Sequence, residues 1–305
     1  MTDVCVVGSF MMDLIVRSPR FPIPGETVTG ISLTPMPGGK GFNQAIAAAR
    51  AGASTAMVGC LGDDAYGAEF REWMRREGVD AEGVATTTVA GSGTAVPIVD
   101  DSGQNAIVIV PQANLEAHAD TVQASAEKIT GSKCLVMQLE IPDDANVEAA
   151  RIAQAAGVHV VLNPAPFREL SRDLLELVDL VVPNEHELDQ LAESLGIVRG
   201  DTEETARAVR DAIAVDLVVT IGADGALVVD SEGATTHPVP DVKPINTVGA
   251  GDTFTGNLAA GLARGASLRD ATERANIAAT ISVTRVGAAA STPTSDEVDA
   301  FIRES

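Results

Sequence analysis

The chain of 305 residues is 45% hydrophobic and carries 43 acidic against 21 basic residues, a net charge of −22 with histidine neutral. So acidic a chain repels nucleic-acid phosphates, which argues against a nucleic-acid partner, and no apolar run reaches the 18 residues of a membrane-spanning helix. Cys5, Cys60 and Cys134 are odd in number and set among apolar residues, as reduced core cysteines of a cytoplasmic protein would be, and His118, His159, His186 and His237 show no metal-ligand spacing.

Residues 4–8 form a short apolar run ending in Gly8, which predicts a buried strand, and Asp13 follows where that strand would open into a loop. No basic stretch precedes the run, as expected of a chain without a signal peptide. Residues 14–36 are rich in Pro, Thr and Gly, with a turn at Ile23-Pro-Gly-Glu26, and predict short strands outside the main sheet. Pro37-Gly-Gly-Lys-Gly-Phe-Asn-Gln44 then leads into the alanine-rich residues 45–51, a strong helix former closed by Gly52. Lys40 and Asn43 thus fall at a glycine-rich helix start. Residues 55–61 predict a strand and 65–76 a helix ending before Gly78. From 83 to 110 the pattern turns to β, with 94–99 and 106–110 flanking the hairpin signal Asp100-Asp-Ser-Gly103. With 14–36, this predicts a small β-layer inserted into a larger fold.

Beyond that point strands and helices alternate. Strands are predicted at 134–139, 158–162, 178–182 and 215–220, a hairpin at 226–238, and helices at 144–156, from 185, near 203–213, and at 250–264, 267–284 and 296–303. Such alternation predicts an α/β fold, a doubly wound, mostly parallel sheet flanked by helices, spanning 1–305 as one domain. Polar residues and glycines fall at the carboxyl ends of the strands, where such sheets bind ligands.

The stretch that concentrates chemistry is Asn246-Thr-Val-Gly-Ala-Gly-Asp-Thr-Phe-Thr-Gly-Asn257. Gly249, Ala250, Gly251 and Asp252 read as the first turn of a helix whose free N–H groups attract anions. Glycine lets a phosphate approach the backbone. A carboxylate in that turn would repel a resting anion, so Asp252 reads either as a proton acceptor beside a phosphate in transfer or as a helix cap. Two nucleotide fingerprints are missing. Gly41 follows Lys40 where a P-loop needs Ser or Thr, and Phe254 stands where the dinucleotide pattern needs its last glycine.

Six ordered motifs span the chain: Gly38-Gly-Lys-Gly-x-Asn43, Gln138-Leu-Glu140, Asn163-Pro-Ala-Pro166, Pro183-Asn-Glu-x-Glu187, Thr220-Ile-Gly-x-x-Gly225 and Asn246-Thr-Val-Gly-Ala-Gly-Asp252. In these the chain, from Val4 to Ser291, resembles the ribokinase family of small-molecule kinases. The resemblance implies an ATP-dependent kinase acting on the primary hydroxyl of D-ribose to give D-ribose 5-phosphate. Kinases of 2-deoxyribose, of another small sugar or of a nucleoside, and a sugar-binding regulator without catalysis, are the alternatives.

The same resemblance implies roles. Asp252 would take the proton of the attacking hydroxyl, with the N–H groups of Ala250, Gly251 and Asp252, beside the catalytic Gly249, forming the anion hole. Met11, Asp13, Gly39, Lys40, Asn43 and Glu140 would surround the sugar. Asn184, Thr220, Gly222, Asp224, Gly225 and Asn276 would line the nucleotide pocket, and Glu187 would position Mg²⁺ through water. A K⁺ ion would sit among Asn246, Val248, Ser282, Arg285, Gly287 and Ser291. The β-layer of 14–36 and 83–110 would be a lid that also joins a homodimer. Two departures qualify these expectations. Asn246 stands where many members have Asp, which weakens the K⁺ site, and Met11 stands where some have an Asn that reads the sugar. Asn184 is equally suited to cap the helix it opens.

Overall fold

The computed structural model describes residues 2–304. The chain opens with β1 (Val4–Val7), then β2 (Met11–Arg17), β3 (Ser32–Gly38), α1 (Lys40–Arg50), β4 (Thr55–Gly62), α2 (Ala65–Glu77), β5 (Asp80–Thr87) and the hairpin β6 (Thr94–Val99) and β7 (Asn105–Val110). Two short helices, α3 (Ala119–Ala124) and α4 (Ala126–Thr130), lead into β8 (Cys134–Met137), α5 (Asp143–Ala155), β9 (His159–Leu162), α6 (Arg172–Leu175), β10 (Leu180–Val181), α7 (Glu185–Ser194), α8 (Thr202–Ile213) and β11 (Asp216–Thr220). The hairpin β12 (Ala226–Asp230) and β13 (Gly233–His237) precedes α9 (Ala250–Ala263), α10 (Leu268–Ser282) and α11 (Ser295–Glu304).

Nine strands form one sheet in the order β13-β12-β11-β10-β9-β8-β1-β4-β5. All neighbours from β5 to β11 pair in parallel, and only the β12–β13 hairpin introduces antiparallel pairs. Because side chains alternate along a strand, β1 sends Val4 and Val6 into the apolar layer that holds α1 and α9. Cys5 and Val7 enter the opposite layer, with α5, α7 and α8. β8 repeats the pattern, with Cys134 and Val136 on one face and Leu135 and Met137 on the other. Two covered faces explain why these strands read as continuous apolar runs. The layer beside α1 is anchored by Phe10, Phe42 and Phe70; Phe70 meets the other two edge to face at centroid separations of 5.3 and 4.9 Å, and Phe10 and Phe42 are tilted at 6.2 Å.

The helices begin and end where local chemistry dictates. Asp64 accepts the Gly67 N–H to start α2, and Gly78 closes it in the left-handed conformation. Asn184 with Glu187, and Asp201 with Glu204, form reciprocal capping boxes on α7 and α8.

The second sheet has four strands, β3-β2-β6-β7. β3 and β7 pair antiparallel with β2 and β6, and β2 and β6 pair parallel with each other. Two expectations need correcting. Asp13 lies within β2 and not in a loop after β1. Residues 80–87 belong to the large sheet, parallel to β4 at its edge, so the β-layer expected over 83–110 starts at Thr94. Among the described residues, no helix is long and apolar enough to cross a membrane.

Candidate active site

The chain leaves β1 toward β4 on one side of the sheet and reaches β8 on the other, so the strand order reverses at β1. Ligands of open α/β sheets bind at the carboxyl ends beside such a reversal. Ser9, Gln138 and Glu140, Asn163 and Asn184 follow β1, β8, β9 and β10 at that edge, and Thr220 ends β11 there.

Two helix starts close over it. At α1, Gly39 has φ 92°, and a Cβ there would lie 2.6 Å from the Met11 nitrogen. A Cβ on Gly41 would lie 2.4 Å from the Ser9 nitrogen. The glycine run is therefore imposed by backbone packed on backbone. The Lys40 N–H donates to Glu140 Oε2 at 3.0 Å, and the Ser9 hydroxyl donates to the same oxygen. At α9, Gly249 has φ 79° and packs on Ala288. A Cβ on Gly251, by contrast, would meet nothing within 4 Å. The first turn of α9 thus faces open space, as an anion-binding helix start must.

Two cavities share that opening. One of about 220 Å³ is lined by Lys40, Asn163, Glu187, Gly249, Asp252 and Thr255 among others. The other, about 630 Å³, runs past Gly222, Gly225, Val239, Pro240, Phe254 and Asn276. Asn184, Thr220, Thr247 and Gly251 line both.

Asp252 is buried in the smaller cavity's wall. Asn43 Nδ2 donates to its Oδ2 and Gln44 Nε2 to its Oδ1, both at 2.9 Å. Asn43 Oδ1 is buried without a partner, and Asn43 lines neither cavity. On β2, Met11 is buried and paired with Gly38. Asp13 presses its carboxylate against Gly38. Burial first, then the nearby Glu140 and Asp252, push the Asp13 carboxyl up to about 6. For Lys40, burial works against the charge, but attraction to Asp252, Glu140 and Glu187 outweighs it and holds the ammonium above its ordinary range. Burial pushes the Glu187 carboxyl up, opposed by the Asn184 N–H and by Lys40. The result is one ammonium among several carboxylates beside a helix start, able to bind a polyhydroxylated molecule and meet an anion.

The structure brings together most of the sequence-derived positions. Asn184, Thr220, Gly222, Gly225 and Asn276 line the larger cavity and Lys40 the smaller, while Asp224 is exposed and lines neither, and Met11, Asp13, Gly39, Asn43 and Glu140 also line neither. Among the described residues no group of three or more His, Cys, Asp or Glu could hold a metal directly. Glu187, buried with one oxygen bound to the Asn184 N–H and its side chain on the smaller cavity, fits a Mg²⁺ held through water.

The K⁺ positions fit less well. Asn246 Oδ1 accepts the Val248 N–H at 2.8 Å, Ser282 and Ser291 donate to the carbonyls of Ala279 and Ala288, and Arg285 pairs with Glu297. With Gly287, these positions supply no carboxylate. The loop at 289–292, which carries Ser291, is gripped by Arg50, whose Nη1 donates to the carbonyls of Ala289, Ala290 and Thr292. Sequence reasoning missed Gln44, which directly follows Asn43 in the motif, and the apolar wall of Val239, Pro240, Val242 and Pro244. No fingerprint marks that wall.

The fold and the site together define an α/β small-molecule kinase. The pfkB family carbohydrate kinase pattern matches residues 1–295, and the chain belongs to this family of ATP-using kinases. It is 35% identical to a ribokinase of Lactococcus lactis, over 100% of this chain and 98% of the relative. It is 30% identical to a deoxyribokinase of Salmonella typhi, covering 98% of each. The structure of Arabidopsis thaliana ribokinase complexed with ribose and ATP superposes with a TM-score of 0.92, at 29% identity, covering 100% of this chain and 99% of the other.

Proposed function

We propose that the protein transfers the γ-phosphoryl group of ATP to the primary hydroxyl of D-ribose, giving D-ribose 5-phosphate and ADP. The observation that carries this reading is Asp252, a buried carboxylate fixed by two amides in the first turn of a helix that opens on both cavities. As the sugar oxygen bonds to the γ-phosphorus, Asp252 takes its proton and the bond to the β,γ-bridging oxygen breaks, leaving ADP. The amides of Ala250, Gly251 and Asp252, with Gly249 shaping the turn, stabilise charge on the moving phosphoryl group. Mg²⁺ bound to ATP would neutralise part of that charge, with Glu187 and Asn184 holding its waters.

Asp13, Glu140 and the unpartnered Asn43 Oδ1 receive sugar hydroxyls, and Lys40 and Gly39 close the pocket beside Met11. The adenosine half occupies the 630 Å³ cavity, a typical nucleotide volume, against Thr220, Gly222, Gly225 and Asn276. Any monovalent cation near Asn246 is held weakly. The small sheet covers the sugar and, through the exposed side chains Ile107, Val108, Ile109 and Val110, joins a second copy as a homodimer.

Met11 favours a second substrate. A buried thioether accepts hydrogen bonds weakly, so the pocket tolerates the missing hydroxyl of 2-deoxyribose, the substrate class named by the Salmonella relative. ADP release measured over a panel of ribose, 2-deoxyribose, hexoses and nucleosides tests the assignment. Ribose should have the highest kcat/KM, with 2-deoxyribose within about 10²-fold. Asp252→Asn should lower kcat by about 10²–10⁴-fold with little change in either KM. A variant keeping more than about a tenth of wild-type kcat, with chemistry limiting turnover, would remove Asp252 as the base.

A further inference from the structure

We infer that Gln44 is a positioning residue for the reaction, aiming Asp252 through a buried chain of amides; this rests on Asp252 being the base. Gln44 is fully buried on α1, and its Nε2 divides between Asp252 Oδ1 at 2.9 Å and Asn163 Oδ1 at 3.0 Å. Asp252 as a carboxylate can only accept, so Gln44 must present its NH₂ there and turn its Oε1 away. That oxygen meets Gln138 Nε2 at 2.6 Å, which forces Gln138 to be the donor in turn. Asn146 Nδ2 then ties the Gln138 carbonyl at 2.8 Å, and Asn163 Nδ2 ties the Val182 carbonyl at 2.8 Å.

The orientations of Gln44 and Gln138 are thus set by Asp252, and those of Asn146 and Asn163 are set by backbone carbonyls, which likewise only accept. The helices share the arrangement. A Cβ on Gly256, one turn after Asp252, would fall 2.5 Å from the Gln44 carbonyl oxygen. Only this backbone approach of α9 to α1 puts Gln44 within reach. Gln44 lines neither cavity, so it acts through Asp252 and not on substrate. Asn43 holds the other carboxylate oxygen, and two donors on different oxygens fix the plane in which the carboxylate meets the attacking hydroxyl.

The test uses the full chain with ribose, ATP and Mg²⁺. Gln44→Met keeps the size and removes both polar ends; kcat should fall about 10–100-fold with KM for sugar and ATP within about threefold. Gln44→Glu sets a second carboxylate against Asp252. The charged groups already around Asp252 are Lys40 on α1, Asp13 on β2, Glu140 after β8 and Glu187 on α7. All four remain in the variant, so the acidic limb of its kcat–pH profile should move up by about one pH unit or more. A purely structural role would lower Tm in Gln44→Met while leaving kcat of the folded variant at the wild-type level. Wild-type kcat in Gln44→Met, or an unmoved acidic limb in Gln44→Glu, overturns the inference. Asp252→Asn separates the two readings. If it stays active, the base assignment fails; if it is inactive while Gln44→Met is not, only the positioning role fails.

Discussion

Asp13 sits where burial and two neighbouring acids oppose its charge, and the consequence is a conflict between stability and binding. Its folded value of about 6 lies above the ordinary 3.8. For a carboxylate raised by folding, the protonated form is favoured in the native state. Its contribution to stability is therefore full below pH 3.8 and is lost as pH rises through about 6. Asp13→Asn should then raise Tm, with a gain that grows from pH 4.5 to about 7 and levels off above. Sugar KM should rise at least about tenfold in the same variant, since an amide cannot replace a charged acceptor. Thermal scans from pH 4.5 to 8 check this, and a variant less stable than wild type at pH 8 contradicts it. At this scale several motif residues were legible, though Asp224, inside the Thr220–Gly225 motif, lines neither cavity. Lys40, Asp252 and Glu187 line the smaller cavity, and Asn43 holds Asp252 from behind. Gln44 was not legible, because its partners Gln138, Asn163 and Asp252 come from three distant segments that only the sheet order brings together.

At the scale of elements, alternation exposed the parallel sheet because each inner strand is buried on both faces and several helices, α2, α7, α8 and α10 among them, open on a side-chain cap. Asp80–Thr87 was misassigned for a physical reason. With Gly83 and two threonines it resembles the β-layer, and only its register against β4 places it at the edge of the large sheet. Helices α3, α4 and α6 have six, five and four residues, too few for a 3.6-residue period to show. The contact of α1 with α9 was equally hidden, since Gly256 inside a helix reads as a flaw of about 1 kcal/mol relative to alanine. Its role is to let two backbones touch. Gly256→Ala brings a Cβ to 2.5 Å from the Gln44 carbonyl and 2.9 Å from the Ala48 nitrogen, contacts that no side-chain rotation relieves. Overpacking costs about 1–3 kcal/mol and should exceed the helix-propensity gain. We expect a Tm lower by a few degrees and kcat reduced at least about fivefold as Asp252 and Gln44 part. An unchanged or higher Tm would show that the helices adjust freely.

For the whole molecule, the governing quantity is charge. With a net charge of −22, the folded chain repels itself, and folding concentrates that charge. Against this stand surface pairs such as Arg75–Glu72 and Arg207–Glu203, exposed enough that each contributes about 0–1 kcal/mol and is itself screened by salt. Raising ionic strength from 0.01 M to 0.15 M shortens the screening length from about 30 Å to about 8 Å. Long-range repulsion among 43 acids then falls away, while contact pairs at 2.7–2.8 Å lose less. Tm should therefore rise across this range, equally in NaCl, KCl and tetramethylammonium chloride, because screening does not distinguish the cations. The same titration of activity bears on Asn246. Without a carboxylate at 246, and with Arg50 already gripping the loop at 289–292, K⁺ should activate no more than tetramethylammonium at equal ionic strength. Asn246→Asp should create a K⁺-specific rise. A falling Tm would mean that the ion pairs outweigh the repulsion. Half-maximal activation of the wild type by a few millimolar K⁺, absent with tetramethylammonium, would mean that neutral oxygens suffice to hold the ion.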